Sequence, residues 1–278
     1  GLPVGEAFDW VERVSIELTT RMLATLFDFP FAERRKLTFW SDTATTPPQQ
    51  MGMTPDERVA HLFECLETFT RLFKERQFES NESQDFISLM ANHPDTRDLE
   101  GLPLLGNLLL LIVGGNDTTR NSMSGGVWFM HQNPAEFEKL KQNPGLIPNA
   151  VSEIIRYQTP LSYMRRTANQ DIEFKGKQIR KGDKIAMWYA SANRDPEVFE
   201  NPDEFQIERA NVRKHQSFGF GLHRCLGNRV AEAQLRILWE EILQRFERIE
   251  VVGEPERAEH SFVHGVKQMQ VVLHPLSG

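Results

Sequence analysis

Ten residues constrain this chain more than any others. Phe218-Gly-Phe-Gly-Leu-His-Arg-Cys-Leu-Gly227 places three glycines and one of only two cysteines immediately ahead of a helical pattern. Leu226, Val230, Ala233, Leu235, Leu238 and Ile242 recur at roughly helical spacing. Cys225 is therefore expected where a Gly-rich loop turns into a helix N-terminus. The unbonded N–H groups and positive dipole end found there favour a thiolate over a thiol. Gly219 and Gly221 lack a Cβ and let the backbone approach something large and flat, and Gly227 does the same on the far side.

A sulfur held in such a loop suits a nucleophile, a zinc ligand or a haem ligand, and a lone cysteine at a helix start is commonly inert. Zinc needs several Cys or His side chains at metal spacing, whereas Cys65 is remote in sequence and no CxxC pair occurs. A nucleophile needs a nearby base, and His223 stands two residues away without an accompanying catalytic motif. The full string Phe-x-x-Gly-x-His-x-Cys-x-Gly resembles the haem-binding loop of the cytochrome P450 family. The resemblance implies haem b with Cys225 as axial ligand, His223 on a haem propionate and Phe218 near the sulfur. Gly219 and Gly227 then form the rest of the cofactor loop. It also implies a mainly α fold with a minor β sheet, an α+β chain forming one haem-binding domain over residues 1–278. No initiator Met is present, and Phe8, Val11, Val14, Leu18, Leu23 and Leu26 already describe an amphipathic helix. The expectation is thus a chain lacking the family's N-terminal part.

Composition narrows the function classes. The 278 residues are 40% hydrophobic, enough for a substantial core, and the net charge is −7. No basic stretch with interleaved aromatics points to nucleic acid. Two cysteines in a chain of this length suit a reducing compartment, and no signal peptide is evident, so a cytoplasmic location is expected. The longest apolar run, Leu102 to Val113, is too short for a membrane span of about 20 residues.

Along the chain, residues 6–28 read as a helix ended by Pro30, and a second helix covers about 31–43. Thr54-Pro-Asp-Glu57 is a capping box with proline at the first helical position. The helix it opens runs to about Phe78, and Asn81 to Ser83 break it. Pro103 opens the longest helix, reaching about Gln132, and two more follow, the last ending at Gln158. Strand patterns then appear over Tyr163–Ala168, Ile172–Phe174 and Lys184–Tyr189, and again over Ile249–Val252 and Val266–Leu273.

The central helix holds the second informative stretch, Leu110-Leu-Ile-Val-Gly-Gly-Asn-Asp-Thr-Thr119. Adjacent glycines inside a helix cost roughly 1 kcal/mol each relative to alanine, and a kinked core helix with a polar end would explain them. Under the resemblance, Gly114 and Gly115 leave room for dioxygen, Thr118 donates a hydrogen bond during oxygen activation and Asp117 relays protons. Glu153 and Arg156 stand at i, i+3, by themselves a surface pair worth a few tenths of a kcal/mol. The resemblance implies instead a buried pair joined by Arg209. Arg165 and Arg166 must point to opposite faces of a strand, and the Arg-Thr-Ala pattern selects Arg166 as a propionate partner. The same matching assigns Leu110, Val113, Gly114, Leu161, Ser162, Phe262 and Val263 to the substrate. None of these is charged, which implies an apolar pocket with no anchor for a carboxylate.

Three segments resemble the soluble bacterial alkane-hydroxylating branch in particular: Gly114 to Gly125, Gln158 to Ala168 and Lys181 to Tyr189. That resemblance implies dioxygen and the terminal methyl of a medium-chain alkane or fatty acid as substrates. An iron–sulfur ferredoxin with an NAD(P)H-dependent reductase would deliver the electrons. Arg213, Lys214, His215, Arg224 and Arg229 could attract such an acidic partner or form a solvated rim. Other apolar substrates such as terpenes, or a haem protein that binds a gas without turnover, are the alternatives. Asp117 and Thr118 argue against the last, because a sensor needs neither.

Overall fold

The computed structural model describes residues 1–77 and 83–276. In chain order it contains β1 (Ala7–Asp9), α1 (Glu17–Leu26), α2 (Arg35–Thr45), α3 (Pro55–Arg76), α4 (Phe86–Asn92) and α5 (Gly101–Gln132). Then come α6 (Pro134–Gln142), α7 (Ile147–Gln158), β2 (Tyr163–Thr167), β3 (Ile172–Phe174), β4 (Lys177–Ile179) and β5 (Lys184–Trp188). The chain closes with α8 (Tyr189–Ala192), α9 (Asn228–Arg245), β6 (Phe246–Val251), β7 (Glu256–Arg257), β8 (Val266–Gln268) and β9 (Gln270–Pro275). This is the expected fold class, mainly helical with small antiparallel sheets.

Residues pack into two compact units. One spans Val11–Arg120 and the other joins Gly1–Trp10 to the chain from Asn121 on. In the first, Phe27 and Phe29 meet Phe69 of α3 with ring centroids 5.6 and 5.7 Å apart, and Phe29 stacks edge-on to Trp40 of α2 at 6.0 Å. Leu37, Ile87, Leu108 and Ile112 complete this core. The α3 capping box forms as the sequence predicts. The Glu57 N–H donates to Thr54 Oγ1 at 3.2 Å, and the Thr54 N–H donates to Glu57 Oε2 at 2.7 Å. Phe78, Asn81 and Glu82, where that helix was expected to end and break, lie outside the described residues.

In the second unit, α7 packs on α9, and β9 lies between β1 and β6. A Cβ on Gly126 of α5 would stand 3.0 Å from Ile154 and 3.3 Å from Trp239, so a residue without a side chain is what lets these neighbours close in. Three expectations fail here for reasons of pairing. Residues 6–28 are not one helix: Ala7–Asp9 pairs with β9, Ala7 opposite Val272 and Asp9 opposite Gln270, a partner no local pattern can reveal. β4 was missed, yet Lys175 and Gly176 both take positive φ (48° and 74°), as a two-residue hairpin turn onto β3 requires. Val266–Leu273 is not one strand: the Met269 backbone bonds Trp10 and the Asp9 side chain, which separates β8, paired with β7, from β9. Among the described residues no helix is long and apolar enough to cross a membrane.

Candidate active site

The cysteine loop belongs to the second unit. Gly219 and Gly221 adopt φ of 67° and 74°, and a short 3-10 turn, Gly221–His223, carries the exposed His223. The Cys225 N–H donates to the Phe218 carbonyl at 2.8 Å and closes the loop. Gly219 is needed for packing as well as for its backbone angle, because a Cβ there would sit 2.8 Å from the Tyr189 hydroxyl oxygen. Gly221 and Gly227 differ: a Cβ on either would meet nothing within 4 Å. Phe218 stays half-buried against His215, ring centroids 5.4 Å apart.

Around the sulfur the loop is open and apolar. Cys225 is exposed, and its neighbours Phe220, Leu222 and Leu226 are 80%, 97% and 86% exposed. Large side chains left this bare form a surface that water wets at a cost. One sulfur donor, an apolar shelf and two open glycine faces fit the flat face of a haem, which brings its own four nitrogen ligands. Among the described residues no group of three or more His, Cys, Asp or Glu side chains is poised for a bare metal ion. The expected thiolate preference is offset in the protein itself. Desolvation by the surrounding loop pushes the Cys225 thiol above its ordinary value, against the pull of the Gly227 N–H and of Arg224. Helix α9 starts at Asn228, with Gly227 as its N-cap.

Beneath the loop's approach lies the predicted ion cluster, and it is fully formed. Arg156 donates to both Glu153 oxygens, Nε at 2.7 Å and a terminal nitrogen at 2.8 Å, while Arg209 Nε lies 3.3 Å from each. Glu153 and Arg156 are completely buried, and Arg209 nearly so. The remaining guanidinium protons go to carbonyls: Asn193, Pro202 and Glu204 for Arg156, and Glu200, Asn201 and Glu204 for Arg209. The pair that sequence spacing alone would leave at the surface is thus the anchor of the segment leading to Cys225.

On β2, Arg166 is half-buried opposite Ile185 and Arg165 is exposed opposite Ala186. Their opposite faces follow the strand pleat, and Arg166 occupies the more enclosed one. Leu161, Ser162, Phe262 and Val263 come together in one corner. Leu161 pairs with Val263 in an isolated bridge, and the Ser162 N–H donates to the Phe262 carbonyl at 2.8 Å. His260, which the sequence reading missed, fixes this corner: its Nδ1 accepts from the Phe262 and Val263 N–H groups at 3.0 and 2.9 Å.

The polar stretch of α5 belongs to the first unit. Leu110, Val113, Gly114 and Thr118 follow one another at i, i+3, i+4 and i+8, one helix face. Leu110 is 72% exposed, and a Cβ on Gly114 would meet nothing within 4 Å. Thr118 Oγ1 donates to the Gly114 carbonyl at 2.9 Å. Gly115 faces inward, where a Cβ would come within 2.7 Å of Leu23. Asp117 is turned away from the open face and buried. Its Oδ1 accepts from Arg120 at 2.9 Å and from Asn116 Nδ2 at 3.0 Å, and Thr45 Oγ1 donates weakly to Oδ2 at 3.4 Å. Arg120 also reaches Asp42 of α2 at 3.0 Å. Burial raises the Asp117 carboxyl to about 6; Asp42 adds to the rise, and Arg120, Ser41 and Thr45 oppose it. Arg120, at i+3 from Asp117, was legible as a partner, whereas Asp42 on another helix was not.

The family model for cytochrome P450 matches residues 22–273. The chain belongs to the cytochrome P450 family. Linalool 8-monooxygenase of Pseudomonas putida is 36% identical over 280 residues, covering 99% of this chain and 67% of that protein. A methyl-branched lipid omega-hydroxylase of Mycobacterium bovis is 29% identical, covering 95% of this chain and 62% of its own length. Cytochrome P450-153 from Novosphingobium aromaticivorans superposes with a TM-score of 0.89 at 49% identity, over 99% of this chain and 67% of that one. The chain thus spans about two thirds of the length of these relatives. As a cytochrome P450 it belongs to a family of oxidoreductases whose cofactor is haem b, bound through a cysteine thiolate.

Proposed function

We propose that this chain serves a monooxygenase that hydroxylates an unactivated C–H bond of an apolar substrate, the terminal methyl of a medium-chain alkane or fatty acid. The observation that carries the reading is the exposed Cys225 set among bare apolar side chains in a loop closed on Phe218. Cys225 holds the haem iron, with Phe218, Gly219 and Gly227 forming its loop and His223 and Arg166 serving the propionates. Haem bound there supplies reductive activation of dioxygen. Thr118 offers a hydroxyl on the open face of α5, and Asp117 holds a proton at a carboxyl raised to about 6. Leu161, Ser162, Phe262 and Val263 form a corner without charge, suited to a hydrocarbon chain. Leu110, Val113 and Gly114 add apolar surface of the same character. Electrons come from an iron–sulfur ferredoxin and its NAD(P)H-dependent reductase. The exposed Arg213, Lys214, Arg224 and Arg229 flank the cysteine loop in sequence and suit an acidic partner. A terpene alcohol as substrate is the second reading, favoured by the 36% identity to a linalool monooxygenase.

The test uses the complete protein loaded with haem. The reduced carbon monoxide complex is expected to give the red-shifted Soret band of a thiolate-ligated haem, and Cys225→Ala to abolish it. Survival of the band in the mutant would remove the assignment. Product analysis with linear alkanes, fatty acids and linalool then separates the two substrate readings.

Regiochemistry provides a further check. A terminal C–H bond is stronger than its neighbours, so terminal attack must be imposed by shape. Leu161 follows Pro160 and is fixed by its bridge to Val263. Leu161→Ala is expected to raise the share of inward hydroxylation, by the roughly 1–3 kcal/mol that one or two methylene-sized contacts can discriminate. An unchanged product ratio would clear Leu161 of that role.

A further inference from the structure

One fully buried amide connects the charged cluster to the cysteine loop. Asn193 follows the short helix α8 and has no exposed surface. Its Nδ2 donates to Thr159 Oγ1 at 2.9 Å and to Ser217 Oγ at 2.8 Å, and its Oδ1 accepts the Gln216 N–H at 2.7 Å. The backbone N–H of Gln216 can only donate, so the amide orientation is fixed: the oxygen must face it and both amide protons must go to the hydroxyls. Those hydroxyls are committed as well. Thr159 donates to the Arg156 carbonyl at 2.7 Å and Ser217 to the Ile155 carbonyl at 2.9 Å. The Asn193 carbonyl itself accepts from Arg156 at 2.7 Å.

The bonds continue toward the sulfur. The Gln216 carbonyl accepts the Gly219 N–H at 2.8 Å, and the next turn of the loop closes where Phe218 accepts the Cys225 N–H at 2.8 Å. Asn193 therefore clamps the segment entering the loop to the C-terminal end of α7, where Thr159 takes the left-handed conformation with φ of 43°. The loop beyond Gly219 is exposed, so it owes its position to this upstream fixture. Losing the fixture leaves the Gln216 N–H without its acceptor and takes one donor from each hydroxyl, which then keeps only its bond to a backbone carbonyl.

We infer that Asn193, acting through Gln216 and Ser217, is a positioning residue for the cysteine ligand: it sets where the Cys225 sulfur stands and so keeps the iron–thiolate bond intact. This rests on Cys225 being the haem ligand. Asn193 touches neither cofactor nor substrate, so its signature is spectroscopic.

The test compares Asn193→Ala, Ser217→Ala and Asn149→Ala in the haem-loaded complete protein. Asn149 is the control. It ties α7 to the Ile207 and Arg209 carbonyls at 2.6 and 3.2 Å, and these two bonds bypass Gln216 and Ser217. All three variants should melt at a lower temperature. In Asn193→Ala most of the red-shifted carbon monoxide band should pass to the shorter-wavelength form at unchanged haem content, with a shifted reduction potential. Ser217→Ala should lose a smaller share of the band, and Asn149→Ala should lose none. If Asn193→Ala does not fold, Ser217→Ala against Asn149→Ala decides. Retention of the full band and potential in Ser217→Ala and in any folded Asn193→Ala would overturn the inference. A band that survives Cys225→Ala would instead overturn the ligand assignment beneath it.

Discussion

Replacing Glu153 with Gln is expected to yield protein that neither melts cooperatively nor retains haem. The Glu153 carboxylate is shared by two guanidiniums with essentially no access to water, and the Gln206 N–H donates to the same Oε1 at 2.9 Å. Gln keeps the volume, but its NH2 group turns two donors toward donors and its charge no longer balances either arginine. Breaking a buried ion pair by removing one partner costs about 3–5 kcal/mol, out of a total stability of about 5–15 kcal/mol. The damage also lies where the segment approaching Cys225 is fastened, so haem uptake should fail along with folding. Thermal unfolding and the haem-to-protein ratio of the purified variant check this. A variant within about 1 kcal/mol of the parent would mean that the ring of carbonyls around Arg156 and Arg209 holds both arginines without the carboxylate.

Where the sequence was informative, its signal was local. The Thr54 capping box and the cysteine loop are each written within about ten consecutive residues; the box forms as read, and the loop closes on Cys225, though the helix after it begins only at Asn228. Glu153 and Arg156 were visible as a pair by their i, i+3 spacing, but their burial was not, because spacing is the same for a solvated pair. Features that depend on remote partners stayed hidden. β1 reads as the start of an amphipathic helix because three residues cannot establish a period of two against a period of 3.6, and its partner β9 is at the other end of the chain. Asp42 and Asn193 carry no motif at all. Asn193 matters because Thr159, Gln216 and Ser217 converge on it, and that convergence exists only in the fold. Cys225 marks the opposite limit: the loop was legible to the residue, while the balance of burial against the Gly227 N–H that sets its ionisation was not.

The proton delivery proposed for Asp117 should follow pH with a limb that two neighbours move in opposite directions. Burial dominates and raises its carboxyl to about 6 from an ordinary value of 3.8. The raised value means the folded chain holds this proton more tightly than the unfolded chain does. The stability this linkage contributes is complete below the ordinary value and is lost as pH climbs through about 6. At pH 7 roughly a tenth of the carboxyl remains protonated, close enough to neutrality for efficient transfer. The yield of hydroxylated product per reduced cofactor consumed should therefore fall as pH rises through that range, with peroxide released in its place. Arg120 lies 2.9 Å from Asp117 and stabilises the anion, so Arg120→Met should carry the limb to higher pH. Asp42 repels the anion across Arg120, so Asp42→Asn should carry it to lower pH, while the Asn oxygen still accepts from the guanidinium. Asp117→Asn should abolish the limb and leave coupling poor at every pH. Infrared detection of the protonated carboxyl, titrated in the parent and the two neighbour variants with Asp117→Asn as the blank, measures the same shifts without turnover. Shifts of one sign in both neighbour variants, or a limb that persists in Asp117→Asn, would assign the titration to another group and leave the Asp117–Arg120–Asp42 chain a structural tie between α5 and α2.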